Sequence, residues 1–243
     1  GHEALLDCWG EPNVGNFHVR GPTYMKDKKK LPCAGMLPYA LVAVDRFKVE
    51  CKENHVMQRL KKPFLPPGMK PGCCPGLPPW LITQFQLPAA EPSIFGGPTD
   101  GPGHSLVYYY ILRQDCATCC DASQLAMLQR FMADGKEADG EPTRDRTKLI
   151  AQVANLDQVS NDKQALSSGA ERKLLKSYNG KPVLLRPQNK YYNAKDYIEI
   201  DVDVYHWAYL ARKMLCIMFT RLKHFVLDFA IVLETRSESE LPE

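Results

Sequence analysis

Alternating and three-to-four spaced apolar residues divide the chain into short strands and a few helices. Residues 104–112, HSLVYYYIL, are dense in aromatic and branched side chains that pack well on a pleated surface, and predict a central strand. Residues 16–24, with Phe17, Val19 and Tyr24 on comparable faces, and residues 37–49 predict an antiparallel opening pair. WLITQFQL at 80–87 reads as a strand between two loops, and further strands are predicted over 147–156, 182–186, 197–204 and 226–234. Helices are predicted over 122–133, capped by Asp121 or Ser123, and over 169–178, which leads into a tight turn at Asn179-Gly180. Residues 134–145 and 157–168 read as loops.

The longest helical pattern runs from about 205 to 224. Trp207, Leu210, Met214, Ile217 or Met218, Leu222 and Phe225 share one face, and Arg212, Lys213, Thr220 and Lys223 the other. Burying five large side chains at about 2 kcal/mol each gives roughly 10 kcal/mol of gross stabilisation, so this contact is expected to dominate the core. The predicted fold is α+β: one domain over 1–243, with a curved antiparallel sheet wrapped on a long C-terminal helix in a helix-grip-like arrangement, and with long Pro/Gly-rich loops. Such a sheet leaves room for a pocket, for which Trp207, Leu210, Met214, Met218, Tyr108 and Tyr110 are the candidate lining.

Composition narrows the classes. The chain has 243 residues, 44% hydrophobic and 24% charged, which suffices for one substantial core. Eleven of the 19 prolines and seven of the 16 glycines fall between residues 63 and 103, which excludes regular helix there. The net charge is only +3, but residues 20–70 carry twelve Lys or Arg against four Asp or Glu. Lys26, Lys28, Lys29, Lys30, Lys61 and Lys62 are the candidate contacts to an anionic surface, each contributing about 1 kcal/mol near charged lipid, although a run at a hairpin tip also suits a solvated loop. No Arg/aromatic interleaving of the RNA-binding kind accompanies them, so nucleic acid is not the expected partner. No window of apolar residues is long enough to span a bilayer, and residues 1–12 lack the pattern of a signal peptide. Nine cysteines form no regular disulfide framework, which fits a reduced intracellular protein. Cys116, Cys119 and Cys120, with Cys73 and Cys74, are weak candidates for a zinc site, and no metal or cofactor other than a bound lipid is expected.

Several blocks, in order, carry a family resemblance. Cys8-Trp9, Phe17-His18-Val19-Arg20-Gly21 and Thr23-Tyr24 are followed by Pro78-Pro79-Trp80-Leu81-Ile82 and by Asp100-Gly101-Pro102-Gly103 with Ser105-Leu106-Val107. Lys176-Ser177-Tyr178-Asn179-Gly180-Lys181-Pro182, Glu199-Ile200-Asp201-Val202-Asp203-Val204, Arg236-Ser237 and Glu240-Leu241-Pro242-Glu243 complete the set. These resemble the C-terminal domain of the plant and protist enhanced-disease-resistance proteins, a domain of unknown biochemistry usually found behind pleckstrin-homology and START lipid-binding domains. The resemblance implies a life beside lipid-binding domains and supplies no catalytic residues.

Enzyme chemistry has little to attach to. None of the six histidines sits in a hydrolase, zincin or phosphate-loop signature, and Gly103, His104 and Ser105 read as a turn entering a strand. Glu199, Asp201 and Asp203 alternate with Ile200, Val202 and Val204, which places three carboxylates on one face about 7 Å apart. That is the polar face of a half-buried strand, salt-bridged by neighbours such as Arg20, Lys181 or Arg186, or else a cation or acid-base site. The expected function is therefore a non-enzymatic lipid- or membrane-associated binding module, intracellular and peripheral to a membrane. The alternative is a docking subunit of a larger assembly that grips partners through Leu77, Trp80, Ile94 and Phe95, and the third choice is an enzyme or cation site on the acidic strand.

Overall fold

The computed structural model describes residues 9–35, 37–118 and 121–243. The fold is α+β, as the residue patterns predict, but its strands form three sheets instead of one. A hairpin of β1 (His18–Arg20) and β2 (Lys30–Pro32) holds the short helix α1 (Tyr24–Asp27) at its turn. The five-stranded sheet has the order β3 (Tyr39–Val49), β5 (Gly103–Leu112), β4 (Trp80–Pro88), β9 (Tyr197–Asp203), β8 (Lys190–Asn193). The third sheet sets β6 (Thr147–Val153) between β10 (Leu227–Leu233) and β7 (Pro182–Leu184).

The expected all-antiparallel sheet is corrected at one place: β4 and β9 run parallel, from Trp80 opposite Tyr197 to Gln86 opposite Asp203. A parallel pair is covered on both faces as a rule, and β9 follows it, with every residue from Ile198 to Asp203 buried. One face of this sheet carries Phe85, Leu112, Ile198, Ile200 and Val202 into the main core with Phe131, Met132 and Leu149. The opposite face carries Trp80, Ile82, Val107, Tyr109 and Ile111, and is covered by Val56 and Met57 of a long crossover between β3 and β4.

Local signals explain the helices that form where expected. Asp121 caps α2 (Ala122–Met132) in a reciprocal box with Gln124, and Ser168 caps α4 (Gly169–Tyr178) in the same way with Glu171. Gly180 follows at φ 68°, a conformation that favours glycine. Helix α3 (Leu156–Asn161) takes the last residue of the strand expected over 147–156 and the start of the segment 157–168 expected to be loop. The C-terminal helix, α5 (Tyr209–Thr220), is shorter than the 205–224 pattern. Asp203 accepts the Tyr205 N–H and closes a separate 3₁₀ turn at Val204–His206, and Trp207 then adopts extended geometry that breaks the helix.

Met214, Ile217 and Phe225 are the fully buried members of the expected helical face, while Leu210 and Leu222 are 46% and 38% exposed. Phe225 lies beyond α5, so at about 2 kcal/mol each the two buried side chains of the helix give roughly 4 kcal/mol, and α5 does not dominate the core. Met214 and Ile217 pack on Val159, Ala165, Leu166 and Leu175 of the α3–α4 region, whereas Leu215 and Phe219 reach the main core.

Candidate functional site

The polar row of β9 is not a solvent face. Glu199 is fully buried and Asp201 almost so, because the crossover after β3 is laid across them. Glu199 accepts the Val56 N–H at 2.7 Å and the Met57 N–H at 3.2 Å, and Asp201 accepts the His55 N–H at 3.0 Å. Asp203 accepts from the Lys52 ammonium at 2.7 Å and from the Tyr205 N–H at 3.0 Å, and lies 2.8 Å from His206 Nδ1. On β4, the parallel neighbour, Gln84 and Gln86 lie opposite Asp201 and Asp203, and both donate to the Glu53 carbonyl, at 2.9 and 2.8 Å. Lys52 fills the ion-pair role that sequence reasoning gave to Arg20, Lys181 or Arg186; Arg20 instead pairs with Glu234 at 2.5 Å.

Burial, and then the charge of Asp201, push the Glu199 carboxyl up to about 8, while burial brings Asp201 to about 6 despite the His55 N–H. Near neutral pH Glu199 is therefore protonated and donates to Asp201, whose Oδ1 has no other donor. His55 lies 3.7 Å from Glu199 and carries no charge against it: burial lowers its pKa, and the Gln58 amide donates to its Nδ1 at 2.9 Å, leaving Nε2–H for the Tyr197 hydroxyl at 2.8 Å. The ring stacks on Tyr192 with centroids 4.3 Å apart. His55 is held at φ 56° and ψ 55°, a sparsely populated backbone conformation. Glu199 and Asp201 thus accept from the backbone of the crossover and Asp203 from Lys52 and Tyr205, and the space between Lys52, Gln84, Gln86 and Ser105 holds no water-sized void.

The other candidates are scattered. Tyr108, Tyr110 and Trp207 pack against the main core, Met214 and Met218 belong to the cluster of the α3–α4 region, and Leu210 is half exposed. Burial raises the Tyr108 hydroxyl to about 12. Lys26, Lys28, Lys29 and Lys30 sit at the turn of the β1–β2 hairpin, where Lys26 reaches Glu238 at 3.5 Å and Lys28 donates to the Met25 carbonyl at 3.0 Å. Lys61 and Lys62 lie elsewhere, at the end of the five-stranded sheet where β4 and β9 begin. Lys62 pairs with Asp196 and covers the rings of Trp80 and Tyr197, and Lys61 is exposed. Of the cysteines, Cys74 and Cys116 are buried in the main core, Cys73 is exposed, and Cys119 and Cys120 lie outside the described residues. Among the described residues no three metal-donor side chains converge.

Of the four residues expected to grip partners, Leu77 and Trp80 are buried, each 7% exposed, because both close the entry to β4. Ile94 and Phe95 are bare, the latter 94% exposed. Sequence reasoning missed Phe64, whose side chain is fully exposed in the segment Lys61-Lys62-Pro63-Phe64-Leu65, followed by Met69-Lys70. The flanking lysines and prolines were the signal available for it.

The chain matches the family model described as the C-terminal domain of Protein ENHANCED DISEASE RESISTANCE 2 over residues 9–243. It is also similar to an Arabidopsis thaliana Protein ENHANCED DISEASE RESISTANCE 2-like, with 27% identity over 247 residues. That alignment covers 100% of this chain and 28% of the relative, so the chain spans a little over a quarter of the relative's length. No solved structure matches at a significant level. The chain belongs to the family of the ENHANCED DISEASE RESISTANCE 2 C-terminal domain.

Proposed function

We propose that this family member is a non-enzymatic module that docks on an anionic membrane surface through the segment 61–70. The observation that carries the reading is Phe64, a fully exposed aromatic ring flanked by Lys61, Lys62 and Lys70. An exposed Phe entering the interfacial region gains about 2 kcal/mol, and each lysine near anionic lipid about 1 kcal/mol. Pro63, Pro66 and Pro67 stiffen the segment, so little order is lost on insertion. Among the described residues no helix is long and apolar enough to cross a membrane, which fits contact from one side.

This reading places lipid at the surface and not in a chamber clasped around α5, since the residues expected to line such a chamber are divided between two clusters. It is non-catalytic because the carboxylates of β9 are occupied by the N–H groups of the crossover and by Lys52. A second reading, protein docking, is favoured by Ile94 and Phe95. Their loop joins β4 to β5 at the Pro88–Gly103 end of the sheet, opposite the Trp80 end that carries Phe64. Co-sedimentation with vesicles containing phosphatidylserine tests the membrane reading: Phe64→Ala should weaken partition by about 30-fold, the equivalent of 2 kcal/mol. Equal partition of wild type and variant would refute it.

A further inference from the structure

Two residues before the exposed Phe64, the crossover lays a cation on two aromatic rings. Trp80 and Tyr197 are register partners on the parallel strands β4 and β9, so their side chains share the face that the crossover covers. The Lys62 ammonium lies 5.9 Å from the Trp80 ring centre and 5.6 Å from that of Tyr197. Asp196, the residue before β9, supplies the carboxylate that pairs with it and is half exposed. Tyr197 is fixed in place: its hydroxyl lies 2.8 Å from His55 Nε2, and the His55 ring stacks on Tyr192.

We propose that Trp80, Tyr197 and Asp196 form a receptor for a quaternary ammonium, the choline headgroup of a membrane lipid, and that Lys62 is its resident stand-in. Ring faces and a carboxylate are the recognition chemistry of such a cation, which has no N–H to donate and is attracted by the rings' quadrupole. Lysine suits the place less well. Among the described residues its ammonium has one acceptor, Asp196, for three N–H groups. At 5.6 and 5.9 Å it stands near the outer reach of a cation–π contact, a gap that the methyl groups of a quaternary head would fill. A primary ammonium is also strongly hydrated, so Lys62, whose side chain is already 27% exposed, returns to water readily when displaced. The lipid source of the ligand rests on the membrane reading, in which Phe64 brings this end of the sheet to the headgroup layer.

Glycerophosphocholine and glycerophosphoethanolamine, which differ only in methylation of the ammonium, are the probes, titrated into the full chain and followed by NMR at the Trp80 indole N–H. The choline compound should bind at least about tenfold more tightly than the ethanolamine compound, the equivalent of 1.4 kcal/mol. Lys62→Ala removes the resident cation and should tighten choline binding about tenfold, while Asp196→Asn, at a half-exposed side chain, should weaken it by a similar factor. A peptide carrying trimethyllysine presents the same chemistry from another source and should bind no more tightly than glycerophosphocholine. Vesicle co-sedimentation reads the membrane surface and these titrations read the pocket in solution, so either can fail alone. No choline binding by wild type and Lys62→Ala, equal affinity for the two headgroups, choline binding unchanged by Asp196→Asn, or tighter capture of the trimethyllysine peptide would each overturn the proposal.

Discussion

Glu199 is buried beside Asp201 and shares a proton with it, and this gives stability a particular pH dependence. Its pKa is raised in the folded state, to about 8 from 4.5, so its stabilising contribution is complete at low pH and is lost as pH rises towards 8. Between about pH 6.5 and 8, above the range where Asp201 titrates, the native state holds one proton more than the unfolded chain. One proton corresponds to a slope of about 1.4 kcal/mol per pH unit, so the free energy of unfolding should fall by about 2 kcal/mol across that interval and level off above it. Glu199→Gln isolates the effect. Its amide N–H can replace the carboxyl proton towards Asp201, and its amide oxygen can still accept from Val56, at the loss of the longer bond from Met57, a cost that does not vary with pH. Urea unfolding of both proteins at several pH values is the assay. We expect the variant to gain about 2 kcal/mol on the wild type between pH 6.5 and 8. Parallel profiles for the two proteins would refute the shared proton.

Three further outcomes follow from the geometry. Lys52→Ala leaves Asp203 buried with only His206 and the Tyr205 N–H, and should cost about 3 kcal/mol in urea unfolding; a loss too small to measure would contradict the ion pair's role. Gly103→Ala should cost about 2 kcal/mol or more, because a Cβ there would stand 2.2 Å from the Leu87 carbonyl oxygen and 2.6 Å from the Tyr205 hydroxyl; a thermal midpoint equal to wild type would show that the strand can shift. Phe95→Ala, at a bare side chain, should change neither stability nor vesicle partition, and a loss of partition would move the membrane contact to the other end of the sheet.

What was legible in the residues was local. The aromatic run of β5, the Asp121 and Ser168 caps and the turn at Gly180 each carry their signal within a few positions, and each element appears where its pattern puts it. The alternation of β9 announced a strand but not its burial, because the segment that covers Glu199 and Asp201 lies more than 140 positions away in sequence. A partial signal existed: Gln84 and Gln86 alternate on β4 in step with Asp201 and Asp203, and two matched polar rows on adjacent strands imply a polar partner above them. The length of α5 was overread because apolar spacing continues through residues 205–208, where Asp203 caps a separate turn. Nothing in residues 50–58 marks them as a cover for a sheet, since their hold on it is made largely by backbone N–H groups that every sequence supplies.

Hydrogen–deuterium exchange of the chain with and without phosphatidylserine vesicles tests most directly whether it meets a membrane through the Phe64 end of its sheet. We expect protection on vesicle binding to concentrate in residues 61–70 and to leave residues 91–97 unchanged. Protection confined to residues 91–97, or no change at either end in the presence of bound vesicles, would contradict it.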